Sequence, residues 1–174
     1  MSFLFSLSNK FSAFNPYAQE LNTEMSTSIS LLEKLGVSAD TSSKMMDHFN
    51  RVLSMTPTAS KEMAIELTMA GREIGISASK MASDFEASAG DLSIYGNQSI
   101  KVFKEMEAQA KATGIAIGSL ISVAKGFDTF DKAAEMAGSL NAVLGTNLST
   151  IDMINSSYEQ RIDILRRELQ ATIG

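Results

Sequence analysis

The sequence predicts an all-α fold, an irregular helical domain of consecutive helix hairpins with little or no sheet. Three observations carry that reading. Apolar residues recur at spacings of three and four, and no stretch alternates polar and apolar as a strand would. Proline appears only at Pro16 and Pro57, while eleven methionines and many alanines fill the apolar positions, a palette that favours helix over strand. Glycine falls where the helical spacing stops, as at a helix C-terminus. At 174 residues the chain is long enough to bury a hydrophobic core.

The elements follow in order. Residues 1–15 place Phe3, Leu4, Leu7, Phe11 and Phe14 on one helical stripe. This segment reads as a short amphipathic helix that docks on its own domain or a partner subunit, with an interfacial membrane anchor as the alternative. It lacks the basic start and long apolar centre of a secretory signal. Asn15 and Pro16 break the chain and open a helical hairpin region over residues 16–96. Within it, Met25, Ile29, Leu32 and Leu35 form one buried face that ends at Gly36. Met45, Phe49 and either Val52 or Leu53 define the next helix. After Thr56, Pro57 and Thr58, a face of Met63, Leu67, Ala70 and Ile74 runs to Gly75.

Residues 97–174 continue in helices. Val102 or Phe103, with Met106 and Ala110, leads to Gly114. Leu120, Ile121 and Ala124 form a short apolar helix that ends near Gly126. Asp128 or Thr129 caps DKAAEMAGSLNAVLG, which closes at Gly145. Tyr158, Ile162, Leu165 and Leu169 mark a last helix, with Asp163 and Arg167 spaced as an i,i+4 pair.

The helix ends share a period. Gly36-Val37-Ser38-Ala39, Gly75-Ile76-Ser77-Ala78 and Gly114-Ile115-Ala116-Ile117 stand 39 residues apart. Each begins with a glycine suited to the left-handed C′ position, then a β-branched residue that packs back. Ser38 and Ser77 can cap the following helix, whereas Ala116 has no side-chain acceptor. Two readings stay open: a common way of ending helical hairpins, and degenerate 39-residue repeats.

Composition excludes several functions. Net charge is −5, residues 1–96 carry 7 basic and 11 acidic groups, and residues 97–174 carry 8 and 9. Neither half is basic, so direct nucleic acid binding is not expected. The absence of cysteine removes disulfides, thiolate chemistry and cysteine zinc sites. The longest apolar run, Gly114 to Ala124, is about half of the ~20 residues a spanning helix needs.

No catalytic constellation appears. His48 has no second histidine and no arranged nucleophile, and Asp128 with Asp131 are explained by the start of a helix. The glycines form no phosphate-binding loop and no nucleophile elbow. Ala110, Gly114, Gly118 and Ser122 have small-xxx-small spacing, but a helix end at Gly114 would interrupt it. Met45, Met46, Met63, Met69 and Met81 read as core filling, with an adaptable contact surface as the alternative. The expectation is a protein without catalytic residues, metal or cofactor, whose notable positions are structural: Gly36, Gly75, Gly114, Asp128 and Gly145.

Three strings carry a family resemblance: LSIYGNQSIKVFKEMEAQAKATGI at Leu92–Ile115, KGFDTFDKAAEMAGSLNAVLG at Lys125–Gly145, and YEQRIDILRRELQATIG at Tyr158–Gly174. Together they resemble the tail tape measure proteins of myovirus-type bacteriophages. The most specific string is FDTFDKAAEMAGSLNAVLG. The family pattern often has a second glycine after Gly145, where this chain has Thr146. The resemblance implies a structural virion component, assembled in the host cytoplasm and lying in the tail lumen, that templates tube length and leaves ahead of the genome. It implies tail tube, baseplate or tail assembly chaperone proteins as partners, together with self-association and membrane contact at ejection. A fully helical chain of this length would reach only about 260 Å at ~1.5 Å per residue, so a segment of a longer tape measure protein, or a truncated relative, is expected. The alternative is an α-solenoid-like interaction module without catalytic activity.

Overall fold

The computed structural model describes residues 19–173. The described residues are helical throughout, with no strand or sheet. The amphipathic stripe expected over residues 1–15 lies outside the described residues. The chain divides into two compact units, Met1–Ile100 and Lys101–Gly174.

In the first unit, α1 (Gln19–Lys34), α2 (Ala39–Arg51), α3 (Pro57–Glu73) and α4 (Ala78–Leu92) precede a 3₁₀ segment, Ser93–Gln98. The turn after α1 satisfies its own helix end. Val37 N–H donates to Leu32 C=O at 3.0 Å and Gly36 N–H to Glu33 C=O at 2.9 Å, with Gly36 at φ 92°. This is a Schellman motif. The turn after α3 repeats it bond for bond: Ile76 N–H donates to Gly71 C=O at 2.7 Å, Gly75 N–H to Arg72 C=O at 3.2 Å, and Gly75 has φ 76°. Val37 and Ile76 are both buried. Ser38 then accepts from Thr41 N–H and Ser77 from Lys80 N–H, as N-caps. Between the hairpins, Asn50 Nδ2 donates to Met55 C=O, and Thr56 caps α3 ahead of Pro57.

Each hairpin packs on itself, and the two then pack helix to helix, α1 on α3 and α2 on α4, with α2 also against α3. No comparable contact joins α1 to α4, so the four helices form two stacked layers and not a closed ring. Phe49 and Phe85 meet between α2 and α4 with ring centroids 5.2 Å apart. Lys61 pairs with Glu24 between α3 and α1, and Lys44 with Glu86 between α2 and α4.

Burial repeats with the glycines. Met25, Ser28, Ile29, Leu32, Val37, Ser42, Ser43, Met46, Phe49 and Leu53 are buried. So are the residues 39 positions later, Ala64, Leu67, Thr68, Gly71, Ile76, Met81, Ala82, Phe85, Ser88 and Leu92, whereas buried Asn22 and Met45 correspond to half-buried Lys61 and Asp84. The chemistry is not repeated, because large and small residues trade places. A Cβ on Gly71 would lie 2.3 Å from Met81 Cγ and 2.9 Å from Ile76 O, so glycine there makes room for methionine. The equivalent first-hairpin positions hold Leu32 and Ser42, with the bulk on the other partner.

That exchange corrects the face assigned to α3. Its buried side is Ser60, Ala64, Leu67, Thr68 and Gly71, whereas Met63, Ala70 and Ile74 are only half-buried and Met69 is 42% exposed. Small residues let neighbouring helices approach closely, and that closeness outweighs the greater hydrophobicity of the methionine face. In α2 the ambiguity resolves to Leu53, buried, over Val52, exposed.

The second unit holds most of α5 (Ser99–Thr113) and all of α6 (Ile117–Lys125), α7 (Phe130–Leu144), α8 (Thr150–Asn155) and α9 (Tyr158–Ile173). Val102, Phe103, Met106 and Ala110 are buried on α5, and Ile162, Leu165 and Leu169 on α9. The short helix α8, started by the Ser149 cap, is absent from the apolar-spacing reading. Gly114 and Gly145 close α5 and α7 at φ 74° and 70° with single bonds, to Ala110 C=O and Asn141 C=O. The small-residue spacing Ala110 to Ser122 is split between α5 and α6.

Gly36→Ala and Gly75→Ala are each expected to cost about 1 kcal/mol or more, because both glycines occupy left-handed backbone. Gly90, inside α4 with open space around it, is the control: Gly90→Ala should leave stability unchanged or raise it by up to about 1 kcal/mol. Urea unfolding of the three variants measures the difference, and equal effects at all three positions would contradict the cap assignment.

Candidate functional site

The second unit is organised around a buried cation. Arg161, 8% exposed, extends from the first turn of α9. Its Nε donates to Met153 C=O at 2.8 Å and its Nη2 to Ile154 C=O at 3.4 Å, both at the end of α8. Its Nη1 donates to Ala124 C=O at 3.3 Å, at the end of α6, and to Asp128 Oδ1 at 2.9 Å. Helix C-termini carry partial negative charge and unsatisfied carbonyls, so one guanidinium fits between two of them. Asp128 therefore serves this ion pair, and the N-cap of α7 is Thr129, which makes no side-chain capping bond. Asp131 stands exposed in the first turn of α7.

A second organiser is Asn141. Its Oδ1 accepts from Leu148 N–H at 2.7 Å and from Thr146 Oγ1 at 2.8 Å, and its Nδ2 donates to Leu148 C=O at 3.0 Å. Thr146 is thus buried and bonded within the α7–α8 loop. Neither Arg161 nor Asn141 is singled out by sequence spacing. The only available signal is a polar residue in an otherwise apolar helical register.

Two concavities were candidates for chemistry. One, of ≈ 250 Å³, adjoins His48 and includes Lys44, Asp47, Phe85 and Glu86. The His48 ring lies edge-on to Phe85 at 5.5 Å, and its Nε2 is buried without a hydrogen-bond partner. Burial lowers its pKa below the usual 6.5, against the opposing charge of Asp47. No residue lining this cavity carries a hydroxyl or thiol for the imidazole to activate. Hydrogen bonds that Lys44 donates to Glu86 and then Asp40 hold it protonated above its ordinary range.

The other is an open groove of ≈ 880 Å³ between α5 and α9, lined in part by Glu105, Gln109, Gln160, Asp163, Arg166 and Arg167. Arg166 bonds Glu105 and Asp163, so the charge there is balanced locally. Asp163 thus pairs at i,i+3, in place of the expected Arg167 at i,i+4, because Arg166 also reaches back to α5. Gln109 Nε2 donates to Arg166 C=O at 2.9 Å. Among the described residues no group of three His, Asp or Glu side chains gathers as a metal site, and no helix is long and apolar enough to cross a membrane.

The remaining surface feature is α7. It fully buries only Ala133 and Ala137, while Phe130 is 62% and Val143 79% exposed. Ile151 on α8 is 63% exposed. The chain matches no protein-family model, no curated protein and no solved structure.

The His48 environment makes a pH prediction. Its folded pKa is lowered, so the unfolded chain binds the proton more readily, and stability falls as pH drops below about 6.5 toward the folded value. His48→Gln should remove that part of the acid sensitivity. Chemical unfolding of both proteins between pH 7.5 and 5 checks it (a range set around the ordinary histidine pKa of about 6.5), and parallel curves would exclude a buried neutral imidazole.

Proposed function

We propose that this chain is a non-catalytic structural component of a bacteriophage tail, a locally folded segment of a tape measure protein. The observation that carries the reading is α7. The string with the most specific resemblance to that family, FDTFDKAAEMAGSLNAVLG, forms a helix closed by Gly145 and Asn141 that leaves Phe130 and Val143 exposed. The helix thus leaves one large apolar side chain uncovered near each end, available to another protein. The partners under this reading are tail tube, baseplate or tail assembly chaperone proteins, or further copies of the chain, in the tail lumen. Membrane contact belongs to the ejection step.

A second reading is favoured by a specific observation. The two-layer stacking of α1–α4 and the 39-residue burial register are features of an α-solenoid, which would make the chain a protein interaction module without catalytic activity.

In-frame deletion of residues 92–145 from the full-length phage gene, followed by electron microscopy of the particles, tests the first reading. Removing a locally folded segment should abort tail assembly. Shortened but otherwise normal tails would keep the family assignment and show that the segment lies extended as a ruler. Normal tails with full infectivity would overturn the tail assignment and leave the interaction module.

A further inference from the structure

The 39-residue register extends into a third hairpin. Phe103, Met106, Glu107, Ala110, Leu120, Ile121, Ala124 and Phe127 stand 39 residues beyond buried positions of the second hairpin, and all are buried. The N-caps fall at Ser38, Ser77 and Ala116, in the same register.

This third hairpin lacks the local devices that close the first two. After Gly114 the backbone makes a single 5→1 bond, from Gly114 N–H to Ala110 C=O at 2.9 Å, and Ile115 N–H donates to Thr113 Oγ1 at 3.4 Å in place of the second Schellman bond. Ala116 offers no side-chain cap. Ile115 is half-buried where Val37 and Ile76 are buried, and exposed Asp131 stands in the position of Leu53 and Leu92. Glu107, 2% exposed, occupies the core position of Ile29 and Thr68. The hairpin's two helices also pack differently. α1 lies along α2 and α3 along α4, whereas the principal neighbour of α6 is α9 and not α5.

Helix α9 bonds both helices of this hairpin. Arg161 takes up the α6 terminal carbonyl of Ala124, Arg166 pairs with Glu105 on α5, and Gln109 on α5 bonds the α9 backbone at Arg166. We propose that α9 is a latch: through these bonds it holds α5 and α6, whose own turn is weakly closed, so that displacing it releases residues 99–127 while α1–α4 stay folded. This inference does not depend on the tail reading.

Hydrogen exchange of the full chain tests it. Arg161→Met keeps the apolar stem and removes the donors. Amides of residues 99–127 should then exchange about tenfold faster or more, with residues 19–92 unchanged. No acceleration in 99–127, or equal acceleration in 19–92, would overturn the proposal. Asn141→Ala separates a latch from simple loss of the whole second unit, because it weakens the α7–α8 loop, which meets α9 at Glu168, without removing any bond from α9 to α5 or α6. It should accelerate residues 128–156 and spare 99–127, and acceleration of 99–127 matching that of Arg161→Met would overturn the latch. Should Arg161→Met fail to fold, Arg166→Met carries the test. Loss of its bond to Glu105 on α5 should likewise accelerate residues 99–127 and leave 19–92 unchanged, and unchanged exchange in 99–127 would overturn the latch.

Discussion

Short helices must dispose of their last carbonyls, and this fold is governed by how that is done. Each α-helix ends with four C=O groups that have no partner inside the helix, and leaving them buried and unbonded costs about as much as a lost hydrogen bond per group. With helices of 6 to 17 residues, ends make up a large share of the chain. At the ends of α1 and α3 the solution is local: glycine enters left-handed backbone, two N–H groups fold back on the helix, and a β-branched residue seals the turn. In the second unit single glycine bonds close α5 and α7, and a tertiary contribution is added. Arg161 satisfies the ends of α6 and α8 together, and Asn141 fixes the loop between α7 and α8.

The two solutions differ in what they demand of the core. A locally closed hairpin can be stacked as a unit, so the register of buried positions survives while the side chains change. Gly71 with Met81 and Leu32 with Ser42 show the trade, since each pair holds one large and one small member. Packing density constrains the sum of the volumes at a contact and not each volume separately. Two hairpins can therefore share a register of buried positions while their residues differ.

This explains what was legible in the sequence. Helix content, the glycine ends and the serine caps rest on local chemistry, and each was visible in residue type and spacing. The buried face of α3 was not, because hydrophobicity favoured Met63 and Ile74 over Thr68 and Gly71. Applying the 39-residue register to Met25, Ile29 and Leu32 would have pointed to Ala64, Thr68 and Gly71. Asp128 was legible as a structural acid, but its partner Arg161 is 33 residues away, beyond any local pattern. The pairing of Asp163 with Arg166 was missed for the same reason, since a contact with α5 selects it.

The same accounting bears on function. Catalysis by charged side chains needs groups that converge on a substrate with their own charge uncommitted. Here Arg161 is engaged by carbonyls and Asp128, Arg166 by Glu105 and Asp163, and Lys44 by Glu86 and Asp40. The most exposed large apolar side chains are Val143, Ile151 and Phe130. Covering a large apolar side chain contributes about 1.5–3 kcal/mol, so a partner that buried these three would gain several kcal/mol before the cost of association. That gain is modest for a soluble pair of proteins. It becomes substantial when many copies, or a long chain held along a tube, repeat the contact and association is already intramolecular.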